Sequence, residues 1–141
     1  MKSLLLLLSL LLLPSLLPSP VVPDDSELEE RMHAIEDHIR KLRRSLRDEE
    51  GTAASLELVA ELQADTLACK LLTPHTVENV PEAERAAFLR DYRKTMAELL
   101  REEIALEIAL LEGDTEAATT AFRAIRAMED PGHERFAGEE H

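Results

Sequence analysis

Apolar residues return along the chain with a helical period. Leu28, Met32, Ile35, Ile39, Leu42 and Leu46 alternate steps of four and three, which places them on one stripe of a first helix. Ser26 with Glu29 three residues on reads as a capping box at its start, and Gly51 marks the turn beyond its end. A second helix, from about Thr52 to Leu72, turns Leu58 or Val59, Leu62, Thr66 and Cys69 inward, and Thr73-Pro74 ends it. A polar loop from Pro74 to Pro81 leads to a third helix, whose inward stripe begins with Phe88, Tyr92, Met96 and Leu99 and resumes from Leu106 to Leu110. Glu102 and Glu103 interrupt that stripe, so both are expected on a solvated flank, with a local irregularity in so long a helix. Gly113-Asp114 sets a C′ glycine beside an N-cap, a tight reversal into a fourth helix carrying Ala118, Ala121, Phe122, Ile125 and Met128. Pro131 and Gly132 are expected to interrupt this helix, with Asp130 capping a short continuation through His133 to Phe136.

Four amphipathic helices with short connections, no strand-period segment and no internal repeat predict an all-α, antiparallel up-down-up-down four-helix bundle. That topology has a consequence for chemistry. The start of the first helix, the end of the second, the start of the third and the end of the fourth all meet at one end.

The first residues do not belong to the bundle. Lys2 followed by Leu4 to Leu8 and Leu10 to Leu13, then Pro14, Pro18, Pro20 and Pro23, has the layout of a secretory signal over residues 1–23. The run is too short and too punctuated by proline for a good membrane span, so membrane attachment is expected only if this leader stays uncleaved. The expected organisation is therefore a leader, a bundle over residues 24–136 and a tail over 137–141, in an exported, periplasmic or similar setting. One cysteine in 141 residues leaves no intramolecular disulfide for that oxidising compartment. A formal charge of −13 disfavours nucleic acid and anionic membrane surfaces, and suits a basic protein or a cation better.

Candidate chemistry gathers at the shared end. Met32 lies one turn into the first helix and His133 at the end of the last, while Phe88, Tyr92 and Phe136 lie nearby. A thioether and an imidazole facing each other across a bundle end are a possible axial pair for haem iron, and aromatic walls would keep a flat macrocycle from water. In isolation Met32 reads as a core filler and His133 as an exposed histidine near a terminus.

Leu28-Glu29-Glu30-Arg31-Met32 at the start, Thr73-Pro74 after the second helix, Glu112-Gly113 at the reversal and His133 twenty residues past Gly113 stand in an order that resembles the cytochrome b562 family, over residues 26–136. The resemblance implies a soluble periplasmic four-helix protein that binds haem b non-covalently and transfers single electrons. It implies Met32 and His133 as iron ligands, with Phe88, Tyr92 and Phe136 packed near the ring, and the acidic surface would suit a basic redox partner. The related cytochromes c′ attach haem through C-x-x-C-H. Here Glu129 and Gly132 stand where those cysteines would be, so covalent attachment is excluded. Family members carry the His ligand on a continuous last helix, whereas Pro131 here leaves two outcomes open, His133 re-aimed inward or turned to solvent. The alternative reading is a haem-free interaction or structural bundle of the same fold.

The remaining candidates are weaker. His33 and His38 are five apart, not the three or four of a helical metal pair. His75 reads as a solvated loop residue and His141 as a tail residue. Cys69 reads as a small core hydrophobe. Glu102 and Glu103 lack the Glu-x-x-His partners of a di-iron site. No strained nucleophile and no glycine-rich phosphate loop is present, so enzymatic activity is not expected.

Overall fold

The computed structural model describes residues 25–48 and 51–137. The leader reading and the side chain of Ser26, on which the predicted capping box rests, lie outside the described residues, as does the tail beyond Ala137. Helix α1 spans Asp25–Ser45, α2 Thr52–Leu71, α3 Glu82–Glu112 and α4 Thr115–Phe136, with a single 3-10 segment, His75–Asn79, between α2 and α3. They form an all-α, antiparallel four-helix bundle in which α1 packs on α2, α2 on α3 and α3 on α4.

One aliphatic core joins all four helices. Ile39, Leu42, Val59, Leu62, Leu106 and Ile125 are essentially free of solvent, and each such side chain contributes about 1.5–3 kcal/mol relative to an exposed one. The stripe predicted for α1 is the buried one, with Met32 inside it and Leu46 at its end only partly covered. On α2 it is Val59 rather than Leu58 that faces fully inward.

The turns follow from particular residues. Gly113 adopts φ 71°, and its amide reaches back to the carbonyl of Leu110. A left-handed residue at this position ends α3 and favours glycine. Asp114 then caps α4 by accepting from the Ala117 amide at 2.9 Å. Between α1 and α2 the requirement is closeness. A Cβ on Gly51 would stand 2.3 Å from the Ser45 carbonyl oxygen, where the Ser45 hydroxyl also donates to the Gly51 carbonyl at 3.0 Å.

Two expectations are corrected here. Helix α4 runs without a break from Thr115 through Pro131 and Gly132 to Phe136, so Asp130 caps no separate turn. The proline deprives the Ala127 carbonyl of its partner, but Ala127 and Pro131 are both exposed, so water can take that bond. Buried Ile125 and Phe136 on either side of Pro131 anchor both halves of the helix to the core. Helix α3 likewise shows no irregularity at its midpoint.

Glu103 is not on a solvated flank. It is fully buried, while Glu102 beside it is half-buried. The Thr66 hydroxyl of α2 donates to Glu103 Oε1 at 2.7 Å, and Oε2 has no partner. Burial pushes this carboxyl up to about 7, against a smaller opposing effect of the Thr66 bond. The acid is therefore neutral through the weakly acidic range and ionises only near pH 7, in a seam where its charged form is costly.

Gly51→Ala should lower unfolding free energy in urea by roughly 1–3 kcal/mol, because backbone must shift to admit the methyl. Gly132→Ala should raise it by about 0.5–1 kcal/mol, since a Cβ there meets nothing within 4 Å and glycine weakens a helix interior. For Glu103 the folded-state value lies above the unfolded one, so the neutral acid favours folding at low pH. Stability should fall as pH rises from about 4.5 to about 7, by on the order of 3 kcal/mol, and level off above that. Urea titrations across that range should show this slope, and Glu103→Gln should remove most of it.

Candidate functional site

The end of the bundle where α1 begins and α4 finishes is built around Phe136. Its ring meets Phe88 and Tyr92 of α3 edge-on, each with centroids 5.4 Å apart. Its carbonyl accepts from the Thr76 hydroxyl at 2.8 Å, which ties the 3-10 segment to the last turn of α4. Tyr92 donates its phenol proton to the Cys69 carbonyl at 2.8 Å, next to the helix end where that carbonyl also receives the Leu72 amide. Burial raises the Tyr92 phenol well above its ordinary value, so it stays a donor. Phe88 is half-buried, and Tyr92 and Phe136 are buried. Arg135 lies over the Phe136 ring and pairs with Asp91 of α3, fixing the rim.

Met32 is partly buried against the core on α1. His133 is half-exposed on α4, and its Nε2 stands 3.1 Å from Glu36 Oε1, one helical turn along α1 from Met32. His133 is therefore turned onto α1, on the side where Met32 also lies. Of the five residues singled out from the sequence, Phe88, Tyr92 and Phe136 meet in one aromatic cluster, while His133 reaches α1 at Glu36, one turn from Met32. Glu36 carries no signal in the sequence as the partner of His133 beyond its position four residues after Met32.

The seam between α1 and α4 is the sparsest of the four between neighbouring helices among the described residues, consecutive helices making the extensive contacts. A flat ligand held between a donor on α1 and a donor on α4 would have to enter that seam. Two open surface grooves lie elsewhere. One of about 440 Å³ is bounded by Glu102, Ala105, Asp114, Ala117 and Ala121 near the α3–α4 reversal, and one of about 270 Å³ by Glu27, Glu30, Arg31, Ala34 and Asp65 between α1 and α2. Neither groove is lined by Met32 or His133.

A second polar cluster joins α1 to α2. Asp65 accepts from Arg31 at 3.0 Å and lies 3.3 Å from His38 Nε2, while Glu61 lies 3.4 Å from His38 Nδ1 without making a hydrogen bond. His38 is thus a largely covered histidine between two carboxylates, not the exposed half of a pair with His33, whose neighbour is Glu36 at 3.8 Å. Its signal in the sequence was the i, i+4 placement of Glu61 and Asp65 on the facing helix. Among the described residues no group of three His, Cys, Asp or Glu side chains is arranged to hold a metal ion. Cys69 is fully buried, as its periodicity predicted, and its thiol is pushed up to about 12 by burial, so it is an inert core group. His75 is exposed.

No described helix is long and apolar enough to cross a membrane. Compared with protein-family models and with curated proteins, the chain matches none, so the reading of this site rests on its own residues.

Proposed function

We propose that this chain is an exported b-type cytochrome-like protein that holds haem non-covalently between α1 and α4 and passes single electrons. The observation that carries the reading is the approach of His133 Nε2 to Glu36 Oε1 at 3.1 Å, which brings this half-exposed side chain to α1 one turn from Met32. A thioether and an imidazole are a donor set suited to haem iron, and the sparse α1–α4 seam lies between them. Bound haem would supply a one-electron iron couple. Met32 and His133 Nε2 would hold the iron, which requires His133 to leave Glu36. Phe88, Tyr92 and Phe136 would exclude water behind the ring, and the aliphatic core beneath them would keep both ligand-bearing helices in register. Two protein ligands leave no open position for a substrate, which favours electron shuttling over catalysis, and the acidic surface would favour docking to a basic redox protein. The leucine-rich leader supports an exported location.

A second reading has its own observation. Phe136 already packs edge-on with Phe88 and Tyr92, and His133 already has a partner in Glu36, so this end is complete without a ligand. On that reading the chain is a haem-free interaction or structural bundle.

The visible spectrum of the protein mixed with haem separates the two. A Soret band with sharp reduced α and β bands, lost in Met32→Ala and in His133→Ala, is the expected result. Glu36→Gln should bind haem more tightly than the wild type, by up to about tenfold, because the competing partner of Nε2 is weakened. No uptake by a stably helical protein would leave the second reading.

A further inference from the structure

Five of the 16 basic residues of the chain fall within eight positions, Arg40-Lys41-Leu42-Arg43-Arg44-Ser45-Leu46-Arg47. Leu46 and Arg47 continue the last turn of α1, their amides bonding the carbonyls of Leu42 and Arg44. Arg40, Arg43 and Arg47 each follow a residue of the core stripe, Ile39, Leu42 and Leu46, by one position, and so share one flank of the helix. Glu36 follows Ile35 in the same way, and Glu36 faces α4 through His133. The arginine row therefore borders the outer side of the α1–α4 seam, with Arg44 beside it, and all four arginines are exposed.

The row is short of anions. Arg40 and Lys41 share Asp37, at 3.6 and 2.7 Å, and the Lys41 hydrogen bond holds the Asp37 carboxyl below its usual range. The guanidinium groups of Arg43, Arg44 and Arg47 have no ion-pair or hydrogen-bond partner among the described residues. Across the seam the charge has the same sign. With α4 antiparallel to α1, the His133–Glu36 contact sets the register, so Arg126, seven residues before His133, stands level with Arg43, seven after Glu36. Arg126 pairs with Glu129 at 3.1 Å, on its own helix. Compensation of the helix dipole accounts for basic residues in the last turn of α1. It does not account for a further arginine facing them from α4.

We propose that this arginine row is a binding site for a linear sulfated polysaccharide, whose sulfates pair with Arg43, Arg44, Arg47 and Arg126. The charge of −13 over the whole chain does not forbid it, because charges beyond about 8 Å are largely screened at physiological ionic strength. The end of the bundle selects a narrow ligand. The α3–α4 reversal lies at the same end as the α1–α2 turn, and it exposes Glu112, Asp114 and Glu116 there along with Asp48. A flat anionic membrane or a nucleic-acid duplex would press against these carboxylates, whereas a single polysaccharide chain lying along α1 stays clear of the reversal. Residues 40–47 include no aromatic side chain on which the bases of a single strand could stack. The inference shares with the proposed function only the exported setting, and haem uptake plays no part in its test.

Fluorescence anisotropy of a labelled heparin oligosaccharide with the purified chain, over a salt series, tests this. The wild type should bind, with affinity falling as salt rises. Replacing Arg43, Arg44 and Arg47 together by Gln should weaken binding about tenfold or more and lower the slope of log K against log salt by about two, with the helical circular dichroism kept. Arg126→Gln should weaken it as well. The triple change Arg90→Gln, Arg93→Gln and Lys94→Gln on α3 alters net charge equally and should leave affinity within about twofold. No heparin binding by the folded wild type, or equal losses from the α1 and α3 variants, overturns the proposal. So does tighter binding, through the same arginines, to phosphatidylserine vesicles, to single-stranded DNA or to polyglutamate at equal salt.

Discussion

The shortness of the three connections is the constraint from which the rest of the molecule follows. A helix that must reverse within a few residues lies antiparallel to the one before it, and three reversals return the end of α4 to the start of α1. Each reversal is enforced locally, by the close approach at Gly51, by the prolines flanking the 3-10 segment and by the left-handed Gly113 with the Asp114 cap. Met32 and His133, more than a hundred residues apart in sequence, come to one end for that reason and no other. The site is a product of topology before it is a product of chemistry.

Polar groups inside and around the bundle carry different burdens. Glu103 is buried between α2 and α3 with its value raised to about 7, a cost at neutral pH that the core around it must offset. His38 sits between Glu61 and Asp65 where α1 meets α2, and Arg31 shares Asp65 with it. The α1–α4 seam has no such internal latch described beyond His133 and Glu36. Three seams of the bundle are thus closed by packing or by polar contacts, and the fourth is joined by a histidine to carboxylate pair whose members can exchange partners.

The helices were legible in the sequence because their apolar stripes repeat without interruption over several turns, most clearly from Leu28 to Leu46. The turns were legible where a single residue type is required, as at Gly113-Asp114. Pro131 misled because a proline's local cost was weighed without the burial of Ile125 and Phe136 on either side of it, or the exposure of the carbonyl it leaves unpaired. Glu103 misled because a carboxylate in an apolar stripe is usually the edge of that stripe. Only the facing helix, which brings Thr66, shows that it is inside. Periodicity placed Met32 and His133 at one end, but which atoms face each other depends on the rotation of α4, and that rotation is set by Phe136 packing on α3. Glu36 was invisible for the same reason.

The central claim is that Met32 and His133 can close on one ligand across the α1–α4 seam. A crystal structure of the chain purified with haem bound tests it most directly. The account predicts iron between the Met32 sulfur and His133 Nε2, with the Glu36 contact broken and the Phe88, Tyr92 and Phe136 cluster lining the ring. Haem held elsewhere, with His133 still paired to Glu36, would contradict it.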